Sequence, residues 1–296
     1  TGAIINIILD PILIFGYFGL PRMEVTGAAV ATVIGQIVAF ILAVLLNRKK
    51  NPDVQLDLRH FRPSGKMIGR ILGIGVPSMV MIAIGSLMTY SFNLVLDRFN
   101  DPAARVMLGE TGKTVFGAYF KLQSFVFMPV FGINNAGLAI AAYNYGARKP
   151  KRIMQVLKYG AFGATALMLV GTLLFLLVPD VLLGFFNPDA EMLAVGEPAL
   201  RIMCIPFLAA GVSIIFNGIF QGLGKSQYSM YVSMMRQLIV LIPVAYLLSL
   251  SGDMGMVWFS FPIAEVASLT LSIFLMLRLY RTKIRPLSAE NHEITT

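Results

Sequence analysis

The stretch from Lys121 to Arg152, KLQSFVFMPVFGINNAGLAIAAYNYGARKPKR, decides what kind of protein this is. It is a long apolar run carrying Lys121, Gln123, Asn134 and Asn135, interrupted by Pro129. It ends in a small-residue turn followed by the basic residues Arg148, Lys149, Lys151 and Arg152. An apolar run of this length reads as a membrane-spanning helix, and polar groups inside one are costly enough to point to function. The basic cluster places its exit on the cytoplasmic side.

The rest of the chain has the same character. Hydrophobic residues make up 57% of the 296 residues and charged residues 13%, and the mean hydropathy is +0.76. A soluble domain carries about a quarter charged residues, so the composition predicts an all-α integral membrane protein, a polytopic helical bundle. The single cysteine, Cys204, excludes an intramolecular disulfide and a cysteine-built metal site. His60 and His292 sit in polar segments, too isolated to form a metal site or a catalytic pair. The net charge of +9 resides in short loops between apolar runs, which fits membrane topology and excludes a nucleic-acid-binding face. The chain begins at Thr1 inside an apolar run with no basic flank, so it does not open on a signal peptide and reads as a fragment lacking its N-terminal part.

Eight apolar segments are visible, at 1–20, 26–46, 67–96, 114–145, 153–178, 192–222, 228–250 and 255–278, each near or above the roughly 20 residues that span a bilayer. Alternate connections hold 17 of the 24 basic residues, clustered at 48–70, at 148–158, at Lys225 and at 278–285. The other connections are rich in acids, among them Glu24, Asp97, Asp101, Glu110, Asp180, Asp189 and Glu191. The basic set is expected inside the cell, with the C-terminus cytoplasmic. The polar stretch 47–66 is the longest of these connections. It predicts a boundary between two helices in 1–46 and six in 67–285, with a tail at 286–296.

Asp10 is the sharpest candidate for chemistry. Segment 1 leaves the membrane near Leu20, which puts Asp10 about 15 Å inside at 1.5 Å per residue. A carboxylate at that depth must be neutralised by a proton, a partner or a cation. Asn6, four residues earlier, shares its helix face, and Pro11 is expected to open the helix beside it. The plain alternative is that Asp10 caps a helix restart at Pro11.

Lys121, Phe125, Met128, Gly132 and Asn135 follow helical spacing and form one face. Arg201 and Arg236 read as residues near segment ends that snorkel to the interface. Glu265, about ten residues into the last helix, is either an ion or proton site or a structurally paired acid. The methionines and phenylalanines at 79, 81, 88, 92, 125, 127 and 128 suit a deformable apolar cavity, or simple packing. Gly69/Gly73 and Gly218/Gly222 have the spacing of close helix contacts. No phosphate-binding glycine loop, metal-ligand cluster or nucleophile triad is present, so nothing suggests ATP hydrolysis or another enzymatic activity.

On these residues the chain resembles the multidrug and toxic compound extrusion (MATE) transporters, in the DinF-like prokaryotic branch. NIILDPILIFG (6–16) followed by GAAVATVIGQ (27–36) is similar to their fifth and sixth helices, and Gly75-Val76-Pro77 to their seventh. Tyr119 to Ala147 resembles the eighth, and FNGIFQGLGKSQYSM (216–230) the end of the tenth and start of the eleventh. The resemblance implies eight helices of a twelve-helix, two-lobed transporter. It also implies ion coupling through Asn6, Asp10 and Thr32, and a substrate cavity involving Lys121, Gln123, Phe125, Met128, Asn135 and Glu265. The branch resembling NorM uses acids deep in the seventh and tenth helices instead, and segments 67–96 and 192–222 have no Asp or Glu within their deep portions.

The expected function is cation-coupled efflux, H+ or Na+ against drug, by alternating access in the plasma (inner) membrane. Its partners would be the lipid bilayer and small, often cationic, organic substrates, with no cofactor beyond the coupling ion, no nucleic acid and no obligate protein partner. Two alternatives stand beside it. One is a flippase of the same superfamily moving a lipid-linked oligosaccharide, which needs a cationic cavity. The other is a non-transporting membrane receptor or scaffold.

Overall fold

The computed structural model describes residues 1–19, 21–50, 64–101 and 106–287. The Asn51-Pro52 breaker, Arg59, His60 and Arg62 of the expected long connection lie outside the described residues, as do Pro102, Arg105 and the tail from 288 with His292. The chain divides into two compact units, Thr1–Gly65 and Lys66–Thr296.

The first unit is a pair of antiparallel helices, α1 (Gly2–Phe15) and α2 (Glu24–Lys50). α1 runs through Pro11 without a break, so the expected opening there does not occur. One lost N–H is tolerated when neighbouring groups surround the freed carbonyl. The helix stops instead at Gly16, whose left-handed φ of 75° lets its N–H reach the Ile12 carbonyl. At 14 residues, α1 is about 21 Å long, shorter than the ~30 Å hydrocarbon core expected for a full span. The buried residues of α2 are Gly27, Ala31 and Gly35, a stripe of small residues four apart. A Cβ at Gly27 would strike the backbone of Leu13 and Ile14, and one at Gly35 would strike the Gly2 carbonyl and the Asn6 side chain. The helices touch backbone to backbone, the contact that substitutes for hydrophobic driving force in lipid.

The second unit contains α3 (Gly65–Leu96), α4 (Leu108–Gly146), α5 (Pro150–Leu177), α6 (Pro179–Gly184), α7 (Ala190–Met203), α8 (Phe207–Gly222) and α9 (Ser226–Met234). A π-helical turn, Met235–Val240, then leads into α10 (Leu241–Ser249), followed by α11 (Met254–Val257) and α12 (Ser260–Leu279). Asn100–Asp101 and Val106–Met107 add a two-residue antiparallel ladder between α3 and α4. α4 continues through Pro129, where the sequence reading places an interruption.

Among the described residues, six helices are long and apolar enough to cross a membrane, and a seventh span forms if α7 and α8 are counted together across their 52° bend. Pro206 sits in that break, where it can neither donate to the helix ladder nor continue the turn. Spans such as α5 expose Phe162, Val170 and Leu177, and α12 exposes Val266 and Phe274. Apolar groups turned outward along a span suit lipid, so the fold is an all-α integral membrane bundle.

α4, α5 and α8 pack together, and α12 lies against α8 and the π turn. The core is a ring cluster. Phe92 lies 4.5 Å from Phe116, 5.2 Å from Phe261 and 5.9 Å from Trp258, and Tyr119, Phe175 and Phe207 extend it. Each such pair contributes about 0.5–1.5 kcal/mol beyond simple burial. Buried serines lie on α9 (Ser226, Ser229, Ser233) and on α12 (Ser268, Ser272), and the Ser229 hydroxyl donates to the Asn217 carbonyl of α8 at 3.1 Å; small residues such as these let helices approach closely. Gly218 and Gly222 serve the same purpose between α8 and α4, as their spacing predicts. Gly69 and Gly73 do not: a Cβ at either would meet nothing within 4 Å.

Candidate functional site

The second unit contains an open-sided cavity of about 790 Å³. Four helical stripes and a turn build it. α4 contributes residues at 119/120, 123/124, 127/128, 131 and 134/135, the spacing of one helix face. α8 contributes Ala210, Ile214, Asn217 and Gln221, and α3 contributes Ser78, Met81, Ile82 and Met88. The α9–α10 segment supplies Ser233, Arg236, Gln237 and Leu241, and α12 supplies Phe261, Ala264 and Glu265. The wall is thus aromatic and methionine-rich, studded with amides. Volume and lining fall within the range of small-molecule sites, ~300–1,000 Å³ with few polar groups.

Arg236 and Glu265 are the charged residues among the described lining. Arg236 Nη1 lies 3.4 Å from Glu265 Oε2, and the Glu265 side chain is 6% exposed against 30% for Arg236. The other oxygen, Glu265 Oε1, is buried with no hydrogen-bond partner. Arg236 therefore does not snorkel to a segment end, as the sequence reading has it. It lies about ten residues, roughly 15 Å, into the span that begins at Ser226, and it pairs with an acid on another helix. Local backbone explains its placement. Pro243 in α10 has no N–H to offer the preceding turn, and the ladder ahead of it widens into the π turn holding Arg236 and Gln237.

Of the residues expected on the cavity, Gln123, Met128, Asn135 and Glu265 line it. Lys121 and Phe125 are not among its lining residues. Lys121 is exposed, its Nζ 5.7 Å from the centre of the Phe186 ring, and Phe125 is 79% exposed. Of the face anchored on Lys121, Met128 and Asn135 reach the cavity beside Phe127 and Asn134, while Lys121, Phe125 and Gly132 are not on it. Of the apolar set, Met81, Met88, Phe127 and Met128 line the cavity, Met79 faces outward, and Phe92 is buried in the ring cluster. Arg201 is exposed near the end of α7, 4.0 Å from Glu197.

Asn6 and Asp10 lie on one face of α1, and each has a buried Oδ1 without a hydrogen-bond partner. Asn6 Oδ1 points at the α2 backbone beside Gly35. Asp10 falls between that contact and the Gly27 contact along the helix pair. Thr32 on α2 is exposed, and its hydroxyl donates to the Ala28 carbonyl at 2.9 Å. The helix pair thus presents two orphaned oxygens one turn apart, with the threonine hydroxyl proton already engaged.

Gln237, Asn217 and Gln221 line the cavity without having been singled out from the sequence, and Arg236, read there as a snorkelling residue, lines it too. The available signal was an arginine and a glutamine placed mid-run, six or seven residues ahead of a proline.

Comparison with known proteins adds a family. The family model described as MatE matches residues 77–247. The multidrug export protein MepA of Staphylococcus haemolyticus (strain JCSC1435) is 26% identical over 273 residues, covering 92% of this chain and 57% of that protein. MepA of Staphylococcus saprophyticus subsp. saprophyticus is 26% identical over 291 residues, covering 98% and 61%. Among solved structures, a MOP superfamily transporter from Pyrococcus furiosus Vc1 (DSM3638) superposes with a TM-score of 0.83 at 23% identity, over 97% of this chain and 61% of that one. A multidrug resistance MATE family transporter in an outward-facing conformation gives 0.81 at 23% identity, over the same shares. These likenesses show the fold. The chain spans about three fifths of the length of the relatives it matches.

Proposed function

This chain belongs to the MatE family, and from that premise we propose that it forms part of a secondary active multidrug efflux transporter, not an enzyme. Small organic compounds, cationic ones among them, occupy the cavity of the second unit, and an H+ or Na+ gradient drives their export by alternating access. The observation that carries the reading is the cavity of about 790 Å³ whose aromatic, methionine and amide lining sits in the middle of membrane spans. Methionine-rich, deformable walls suit varied organic substrates. The names of the MepA relatives point the same way.

The coupling ion is assigned to Asn6 and Asp10, with Thr32 as a lesser contributor. Two buried oxygens with no donor are what a proton or a bare cation completes. The ion acts by binding one state of the transporter better than the other. The proposed location is the plasma (inner) membrane, and the basic connections support a cytoplasmic C-terminus.

The flippase reading needs a cationic cavity for an anionic lipid head group. Lys121 and Arg201 are not on the cavity, and Arg236 is partnered by Glu265, which favours drug export. The test uses the natural polypeptide that carries these residues, reconstituted in vesicles with a fluorescent cationic dye. An imposed H+ or Na+ gradient should drive dye movement that an ionophore abolishes. Movement of lipid-linked oligosaccharide and not of dye would favour the flippase, and gradient-independent behaviour with neither substrate would favour a receptor or scaffold.

A further inference from the structure

The Arg236–Glu265 pair is peculiar because it is incomplete at both ends. A tight guanidinium–carboxylate bond measures about 2.7–2.9 Å and is often bidentate. Here a single Nη1···Oε2 approach of 3.4 Å joins them, and Glu265 Oε1 is left buried without a partner. A guanidinium carries five N–H donors, and one bond to Glu265 leaves most of them uncommitted. Burying two charges is expensive unless their remaining hydrogen-bonding capacity is filled. The pair nevertheless sits mid-span on the cavity wall, among apolar rings and neutral amides, with no other charged residue among the described lining.

We infer that this pair is a zwitterion-selecting subsite: the cationic part of a substrate lies beside the free Glu265 oxygen, and its carboxylate bonds the free guanidinium edge of Arg236. Electrostatics separates this from a general cation site. A lone buried carboxylate attracts any organic monocation. A carboxylate with an arginine beside it presents a dipole, which repels with one end what it attracts with the other. A ligand carrying both charges is attracted at both ends and completes both groups. The π turn contributes by holding Arg236 and Gln237 on the same wall, with Gln237 beside Gly85 of α3. This inference rests on the transport reading above, since it names the substrate class of that cavity.

Rhodamine B and its ethyl ester separate the possibilities. Near neutral pH the free acid is a zwitterion, and the ester keeps the same cationic ring without the carboxylate. Binding of both dyes to the purified natural polypeptide is measured by fluorescence, and the readout is the affinity ratio of free acid to ester. R236Q should lower that ratio about tenfold, the effect of losing one charge-assisted bond, and E265Q should raise it. The exchanged pair R236E/E265R should restore the ratio to within about threefold of wild type, since a dipole of either direction holds a zwitterion. The neutral double variant R236Q/E265Q, which carries no buried charge to destabilise it, should resemble R236Q. A ratio unmoved in these variants while both dyes still bind overturns the subsite and leaves the transport reading standing. Binding of the ester but not of the free acid by wild type overturns the subsite alone, and failure of both dyes to bind wild type overturns both readings.

Discussion

Asn134 Oδ1 occupies the place where a side chain would begin at Gly218: a Cβ built there would overlap the asparagine oxygen. Asn6 stands in the same relation to Gly35 in the other unit. Neither asparagine oxygen has a conventional hydrogen-bond donor, so the glycine Cα–H is the group it rests on. In both cases a polar side chain from one helix seats in a notch on the next, and closeness requires glycine in the notch.

Gly218→Ala should therefore push α4 and α8 apart. Overpacking of this kind costs about 1–3 kcal/mol, visible as a lower melting temperature in detergent. Gly132→Ala is the control, because a Cβ there would meet nothing within 4 Å. It should leave the melting temperature unchanged or slightly higher, as alanine favours helix.

Gly35→Ala should likewise separate α1 from α2, and Asn6→Ala should partly relieve it by removing the overlapping oxygen. A double-mutant cycle on thermal stability checks this. The predicted coupling between the two changes is about 1 kcal/mol, and strict additivity would mean that the two residues do not share the notch.

Phe92→Ala should be severe. Phe92 is fully buried and packs against the Phe116, Trp258 and Phe261 rings, and emptying such a site costs about 3–5 kcal/mol. Phe162→Ala, at a position 76% exposed on a span, should cost little in the same melting assay.

The cavity wall makes a prediction that differs from the sequence reading of α4. Gln123→Ala and Met128→Ala should weaken dye binding by about threefold to tenfold, the range expected for losing one buried contact. Lys121→Gln and Phe125→Ala should leave it within about twofold, a change too small for a lost contact. Fluorescence titration of a cationic dye distinguishes these outcomes.

Much of this architecture is legible in the sequence because hydropathy along a span reports lipid contact directly. The boundaries between apolar segments near 150 and 252 mark turns that the structure contains, whereas α1 stops at Gly16, inside the segment read as 1–20. What is not legible depends on partners far apart in the chain. Arg236 looks like a residue near a segment end until Glu265, 29 positions away, is placed beside it. The face of α4 that meets the cavity is set by which neighbours cover the other faces, and of the stripe anchored on Lys121 it takes in Met128 and Asn135. Spacing alone also misleads over small residues. Gly69/Gly73 and Gly27/Ala31/Gly35 share a four-residue interval, and only the second meets a helix closely.

The proposed transport mechanism rests most heavily on Asp10, and Asp10→Asn tests it most directly. The measurement is gradient-driven dye transport by the natural polypeptide in vesicles, alongside dye binding by the same preparation. The substitution keeps the size of the side chain and removes its charge. The account predicts that dye binding in the second unit persists within about twofold, since the variant touches none of its contacts, while transport driven by an H+ or Na+ gradient is lost. Gradient-driven transport at the wild-type rate in Asp10→Asn would contradict it.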